Sequence, residues 1–87
     1  MSFAIYKYPI NNESYQQINM PKDAKILSVQ LQNNMPCIWA MVNLDNPMEI
    51  RKFYWFFTGE QMDDPDAYTY IATFQLGWMV CHLFEEK

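Results

Sequence analysis

The only histidine of the chain, His82, is the first residue to consider for catalysis, because an imidazole titrates near neutral pH. Neighbouring residues of a strand point to opposite faces, so Cys81 and His82 cannot form a local nucleophile–base pair. Cys37 can meet His82 only if the fold brings their strands together. A single histidine with no adjacent ligand set is also unlike a zinc site. We expect a hydrogen-bonded structural role more than a catalytic one, although His82 stays among the candidate ligand contacts.

A run of acidic side chains is the second candidate for chemistry, because residues 60–66 contain four carboxylates. Such a run could hold a divalent metal ion or supply a general acid and base. It lacks the alternating carboxylates and the central glycine of a calcium-binding loop. With only two glycines in the chain, no glycine-rich phosphate loop can form either. We expect a solvated loop, and we predict no catalytic residue, no metal and no cofactor: the protein is not expected to be an enzyme.

Five consecutive aromatic residues, 53–57, follow the basic pair Arg51-Lys52. In a strand, Phe53, Trp55 and Phe57 would face one way, and Tyr54 and Phe56 the other. A chain of this length has one small core, which can cover only one of these faces. The second face must therefore meet a partner subunit, a ligand or a further layer of the same chain.

This mixture of residue types could bind a nucleotide-like ligand, since aromatic rings stack on bases and cations neutralise phosphates. Amide and hydroxyl side chains at other strand positions would complete the site. The candidate ligand-binding residues are Arg51, Lys52, Trp39, Tyr54, Trp55, Thr58, Gln30, Gln75 and His82. The alternative is that the aromatic residues form core and interface while the amides pair with backbone.

Length and composition indicate a single domain, residues 1–87, with 51% hydrophobic and 17% aromatic residues. That is more bulky apolar surface than a domain of this size hides easily, so we expect a homo-oligomer. A net charge of −4 argues against general nucleic-acid binding. No secretion signal or bilayer-spanning run is recognisable, so we expect a cytoplasmic protein, not a membrane protein, with reduced Cys37 and Cys81.

Alternating apolar and polar residues predict an all-β fold, a small antiparallel sandwich or barrel of six to seven short strands with little helix. The clearest alternation places Leu27, Val29 and Leu31 on one face, and a four-residue loop, 33–36, joins this strand to the next. The predicted strands are residues 3–9, 15–20, 25–32, 37–43, 50–57, 68–75 and 78–85.

Several segments resemble a family of small, uncharacterised phage and prophage proteins, and the resemblance runs nearly end to end. Its carriers are residues 6–9, 20–30, 38–42, 58–59, 70–75 and 80–85. The family pattern has glycine where this chain has Asp23, and it differs again at Glu60. The resemblance implies a phage origin and no particular reaction.

Small phage proteins outside the virion often counter host defences, so we expect a non-catalytic anti-defence binding protein in the infected bacterial host. One hypothesis is that it sequesters a nucleotide-derived immune signal in pockets of a homo-oligomer. The alternative is a protein–protein inhibitor that caps a host defence effector.

Overall fold

The protein is a seven-stranded β-sandwich, seen in a computed structural model that describes residues 1–87. A single turn of 3₁₀ helix, Pro65–Ala67, precedes the sixth strand. No helix is long and apolar enough to cross a membrane. The strands are β1 (Phe3–Pro9), β2 (Tyr15–Pro21), β3 (Lys25–Gln32), β4 (Met35–Asn43), β5 (Met48–Phe57), β6 (Tyr68–Leu76) and β7 (Met79–Glu86).

The strands form two sheets, one of three strands in the order β1-β4-β3 and one of four in the order β2-β5-β7-β6. Every pair of neighbouring strands is antiparallel. The predicted fold class is therefore confirmed, and each predicted strand corresponds to one in the structure. The aromatic strand, β5, lies inside the four-stranded sheet between β2 and β7, where both of its edges are hydrogen-bonded.

The core lies between the sheets and takes alternate residues from the central strands. From the three-stranded sheet, β4 contributes Ile38, Ala40 and Val42, none of which is accessible to solvent. From the other sheet, β5 contributes Phe53 and Trp55, which are 0% and 4% exposed. This alternation is the expected result of packing one face of each strand against the opposite sheet.

The polar side chain of Gln16 is buried beside this core, and both of its amide atoms are hydrogen-bonded. Gln16 on β2 accepts a hydrogen bond from the backbone N–H of Asn11 at 2.8 Å through its Oε1. Its amide nitrogen donates to the carbonyl oxygens of Asn11 and Glu13. These bonds fix the turn that carries the chain from β1 in one sheet to β2 in the other, because a buried amide is stable only when paired.

Two tight turns depend on residues with positive φ. Asn33 and Asn34 have φ of 52° and 63°, which makes a two-residue hairpin turn between β3 and β4. The predicted loop of four residues is thus wrong, because Met35 and Pro36 already belong to β4. Asp23 has a φ of 66°, a left-handed conformation that aspartate adopts at a smaller cost than most residues because its short polar side chain can hydrogen-bond locally.

Because of a β-bulge in β3, the prediction that Leu27 and Val29 share one face is wrong. The register of β3 against β4 shifts between Ile26 and Ser28. Ile26 and Val29 consequently both face the core, while Leu27 points outward and is 46% exposed. The strict alternation read from the sequence fails here because the bulge adds one residue to the strand.

The acidic segment connects β5 to β6. Both strands are antiparallel to β7, which lies between them, so residues 58–67 cross β7 from one end of the sheet to the other. The crossing is on the outer side, because the inner side of the sheet is filled by the core. Met62 of this segment is half-buried. This connection therefore passes over β7, the neighbour of β5 in the sheet.

Candidate functional site

The basic pair on β5 is divided between the two faces of the four-stranded sheet. Arg51 shares the inner face with Phe53 and Trp55, whereas Lys52 shares the outer face with Tyr54, as strand geometry requires. Trp55 is packed in the core against Phe74, with ring centroids 5.8 Å apart. It is therefore a core residue and not the stacking platform that the sequence suggested.

Arg51 closes one end of the sandwich by a two-point ion pair with Glu85. Its Nε and Nη2 atoms donate to the two carboxylate oxygens at 2.6 and 2.7 Å, and Nη1 donates to the carbonyl of Ala24. The hydrogen bond to Glu85, partly opposed by desolvation, raises the pKa of Arg51. The guanidinium that was predicted to meet a ligand phosphate is therefore paired with Glu85 in the folded chain.

Lys52 is also paired, more loosely and on the other face. Its Nζ lies 3.6 Å from the Oε2 atom of Glu86, whose Oε1 accepts a hydrogen bond from the Tyr54 hydroxyl at 3.1 Å. Desolvation, followed by that hydrogen bond, raises the pKa of Tyr54. The Glu86 carboxylate therefore lies beside Lys52, where its negative charge would repel a phosphate group.

The outer side of the four-stranded sheet carries a continuous cluster of rings, here called the aromatic face. Neighbouring centroids lie 4.7 to 5.7 Å apart, and most pairs meet edge-to-face, as aromatic quadrupoles prefer. Only Tyr15 and Tyr70 among them are exposed by more than a third, at 39% and 56%. The members of the aromatic face are Tyr15, Tyr54, Phe56, Tyr68, Tyr70 and Phe84.

His82 lies beside the aromatic face with both ring nitrogens engaged by hydroxyls. Its Nε2 is 2.7 Å from Thr58 Oγ1, and its Nδ1 is 2.9 Å from Thr73 Oγ1, which in turn meets the Tyr70 hydroxyl at 2.7 Å. Threonine hydroxyls both donate and accept, so either tautomer is satisfied. The network lacks the carboxylate that orients the base of a hydrolytic triad. A structural role accounts for all of its hydrogen bonds.

The remaining candidates lie apart. Gln75 is exposed on the edge strand β6, opposite Val80. Trp39 and Gln30 lie on the three-stranded sheet, on its outer side. The nine predicted residues consequently occupy the core, the end of the sandwich and two opposite surfaces, and they do not form one site.

The cavities of the folded chain are shallow. The most apolar of them has a volume of about 450 Å³ and lies beside the β6–β7 turn, where Trp78 is 89% exposed. It contains no charged side chain. Its lining residues are Phe57, Thr58, Trp78, Met79 and Val80.

No group of three or more histidine, cysteine or carboxylate side chains is placed to hold a metal ion. Cys37 and Cys81 are buried free thiols on different sheets. Burial raises the pKa of the Cys81 thiol, which lies in the core cluster. A thiol in that environment is a packing residue, since reactivity requires the exposed thiolate.

A surface that the sequence analysis did not identify is the outer side of the three-stranded sheet, here called the open face. Phe3, Ile5, Leu27 and Met41 are exposed there by 57%, 63%, 46% and 38%. The connections of these strands are turns at the ends of the sheet, so no segment covers them. The alternation of Phe3 and Ile5 in β1 was visible in the sequence, but which sheet β1 joins was not.

The polar side chains of the open face include two lysines and no carboxylate. Lys7 lies 6.0 Å from the centroid of the Trp39 ring and donates to Gln32 Oε1 at 2.7 Å. Lys25 is opposite Met41 in the ladder. Neither lysine has a carboxylate within ion-pair distance, unlike Arg51 and Lys52.

Comparison with known proteins gives a family and no activity. No curated protein matches the chain, and no solved structure matches it. A model of a domain of unknown function, DUF7352, matches residues 1–87. Since the match spans the whole chain, the protein belongs to the DUF7352 family.

Proposed function

We propose that this protein is a non-catalytic binding protein that takes a protein partner on its open face. The observation that carries the proposal is the exposure of Phe3, Ile5, Leu27 and Met41 together on one side of a sheet. Contiguous exposed apolar side chains of this kind mark interaction surfaces in soluble domains. An exposed apolar sheet face fits the surface of a macromolecule better than a small ligand, because small ligands bind in concave sites.

Sequestration of a nucleotide-derived signal has less support than binding of a protein. Glu85 and Glu86 pair with the two cations assigned to phosphates, and Trp55 is in the core. A nucleotide site would need cations from a neighbouring subunit of a homo-oligomer. The resemblance to phage proteins extends the favoured proposal: the partner would be a host defence effector that this protein caps.

Native mass spectrometry of the tagged protein recovered from a bacterial host tests the proposal, because it reports copy number, bound protein and bound small molecules together. We expect a protein partner in near-integral ratio with the wild-type chain, and its loss from Met41→Arg, which puts a charge at the centre of the open face. Gln61→Arg adds the same charge to an exposed loop residue and should retain the partner.

A nucleotide-sized mass retained by Met41→Arg, with no protein bound, would favour sequestration instead. Equal loss of the partner from both variants would show that the added charge matters and its position does not, which contradicts the assignment to the open face.

A further inference from the structure

We infer that the open face takes a partner whose apolar contact surface is flanked by carboxylates, that is, an acidic amphipathic protein segment. This inference rests on the proposed function and adds the chemistry of the partner. The three strands β1, β3 and β4 contain Lys7 and Lys25 and no aspartate or glutamate, although the whole chain has a net charge of −4. The charge of this sheet is thus opposite to that of the molecule.

The ladder register places the two lysines around the apolar centre. Met41 lies between Ile5 on β1 and Lys25 on β3, and Trp39 lies between Lys7 and Ser28 in the next row. A partner that covers Ile5 and Met41 therefore meets Lys25 in the same row, and Lys7, whose ammonium group donates to Gln32, in the next. Neither lysine is paired with a carboxylate of this chain, and Lys7 has only Gln32 and the Trp39 ring as partners. Burying both ammonium groups against an uncharged or basic surface would therefore leave their charges unpaired.

A second copy packed on the same face fits poorly. A two-fold interface would bring the lysines of both copies, four in all, into one contact, and the sheet has no acidic side chain to pair with them. Like charges brought together in this way oppose association.

Nucleic acid fits poorly for a different reason. Two lysines are few for a phosphate backbone, and the net charge of −4 opposes the approach of one. Carboxylates set around an apolar stripe match both features of the open face, since the stripe covers the aliphatic groups and the carboxylates meet the lysines.

The test uses two synthetic peptides of about 15 residues, long enough for marginal helicity, with leucines on one face. On the face opposite the leucines, one peptide has glutamate at every position and the second has lysine at every position. Each is titrated into the ¹⁵N-labelled full-length protein and followed by amide chemical shifts. We expect the glutamate peptide to shift amides of β1, β3 and β4 and to bind about five- to ten-fold more tightly than the lysine peptide.

Charge reversal supplies the decisive control. In the Lys7→Glu, Lys25→Glu double variant the preference should invert, while Lys22→Glu, in an exposed turn, should preserve it. Equal binding of both peptides at the open face, or tighter binding of the lysine peptide, would overturn the inference and leave the proposed function intact.

Other occupants give distinguishable results. Shifts of the same amides on dilution without peptide would identify a second copy, and shifts caused only by phosphatidylglycerol vesicles would identify an anionic membrane; either overturns the inference. If neither peptide perturbs this sheet at millimolar concentration, the inference is overturned, whereas the proposed function is decided separately by the loss of the partner from Met41→Arg.

Discussion

At the scale of single residues, the ion pair of Arg51 and Glu85 shows how a cation is held at the edge of a core. Their side chains are 16% and 17% exposed, and the guanidinium satisfies a backbone carbonyl as well as the carboxylate. Removing one member would leave the other desolvated without compensation, which costs more than the pair itself contributes.

We predict that Arg51→Met, which keeps most of the side-chain volume, lowers the free energy of unfolding by about 2 kcal/mol because Glu85 loses its partner. Urea denaturation at neutral pH measures the change. The matched control is Lys22→Met, since Lys22 is exposed and forms no ion pair. An unfolding midpoint that moves no further in Arg51→Met than in this control would contradict the prediction.

At the scale of elements, the β3–β4 hairpin depends on a turn whose two central residues both have positive φ. Asparagine tolerates this conformation better than other residues with a side chain, and glycine tolerates it without a steric penalty. The turn also sets the register that places Trp39 opposite Ser28, and therefore the arrangement of the open face.

We predict that Asn34→Gly raises the free energy of unfolding by about 0.5 kcal/mol, and that Asn34→Ala lowers it by about 1 kcal/mol, because alanine has no polar group to support the left-handed conformation. Thermal denaturation followed by circular dichroism measures both. If the two variants changed stability in the same direction by similar amounts, backbone strain at this turn would not be the cause.

The strands could be predicted from the sequence, whereas the contacts between them could not. Strand positions followed from period-two alternation, because each strand packs one face on the core. The alternation did not predict the bulge at Ile26–Ser28, because a bulge depends on the pairing of β3 with β4. The pairing of Arg51 with Glu85 joins residues far apart in the chain, so local composition marked Arg51 as free. Trp39 and Tyr54 looked like neighbours in a site for the same reason, although they belong to opposite sheets.

At the scale of the whole molecule, folding raises the pKa of three groups that are neutral when protonated, in addition to that of Arg51. Tyr8 is affected by desolvation and then by the nearby Tyr6, Tyr54 by desolvation and then by Glu86, and Cys81 by desolvation alone. They lie on β1, β5 and β7, so the effect is distributed over both sheets. In each case the folded state favours the neutral, protonated form.

The sign of the pH dependence follows from these raised pKa values. Above the pKa of the unfolded chain, the unfolded state releases protons that the folded state still holds, so stability falls as pH rises. The loss should begin near pH 8.5 for the Cys81 thiol and near pH 10 for the two tyrosines. We predict that the urea midpoint is constant between pH 7 and 8 and decreases above that range, as measured by denaturation at a series of pH values.

In the Cys81→Ala variant, the first part of this decrease in the urea midpoint should be smaller. In the folded wild-type protein, both thiols should resist a thiol reagent until the protein unfolds. A midpoint that stays level or rises with pH would mean that these groups are as hydrated in the folded chain as in the unfolded one.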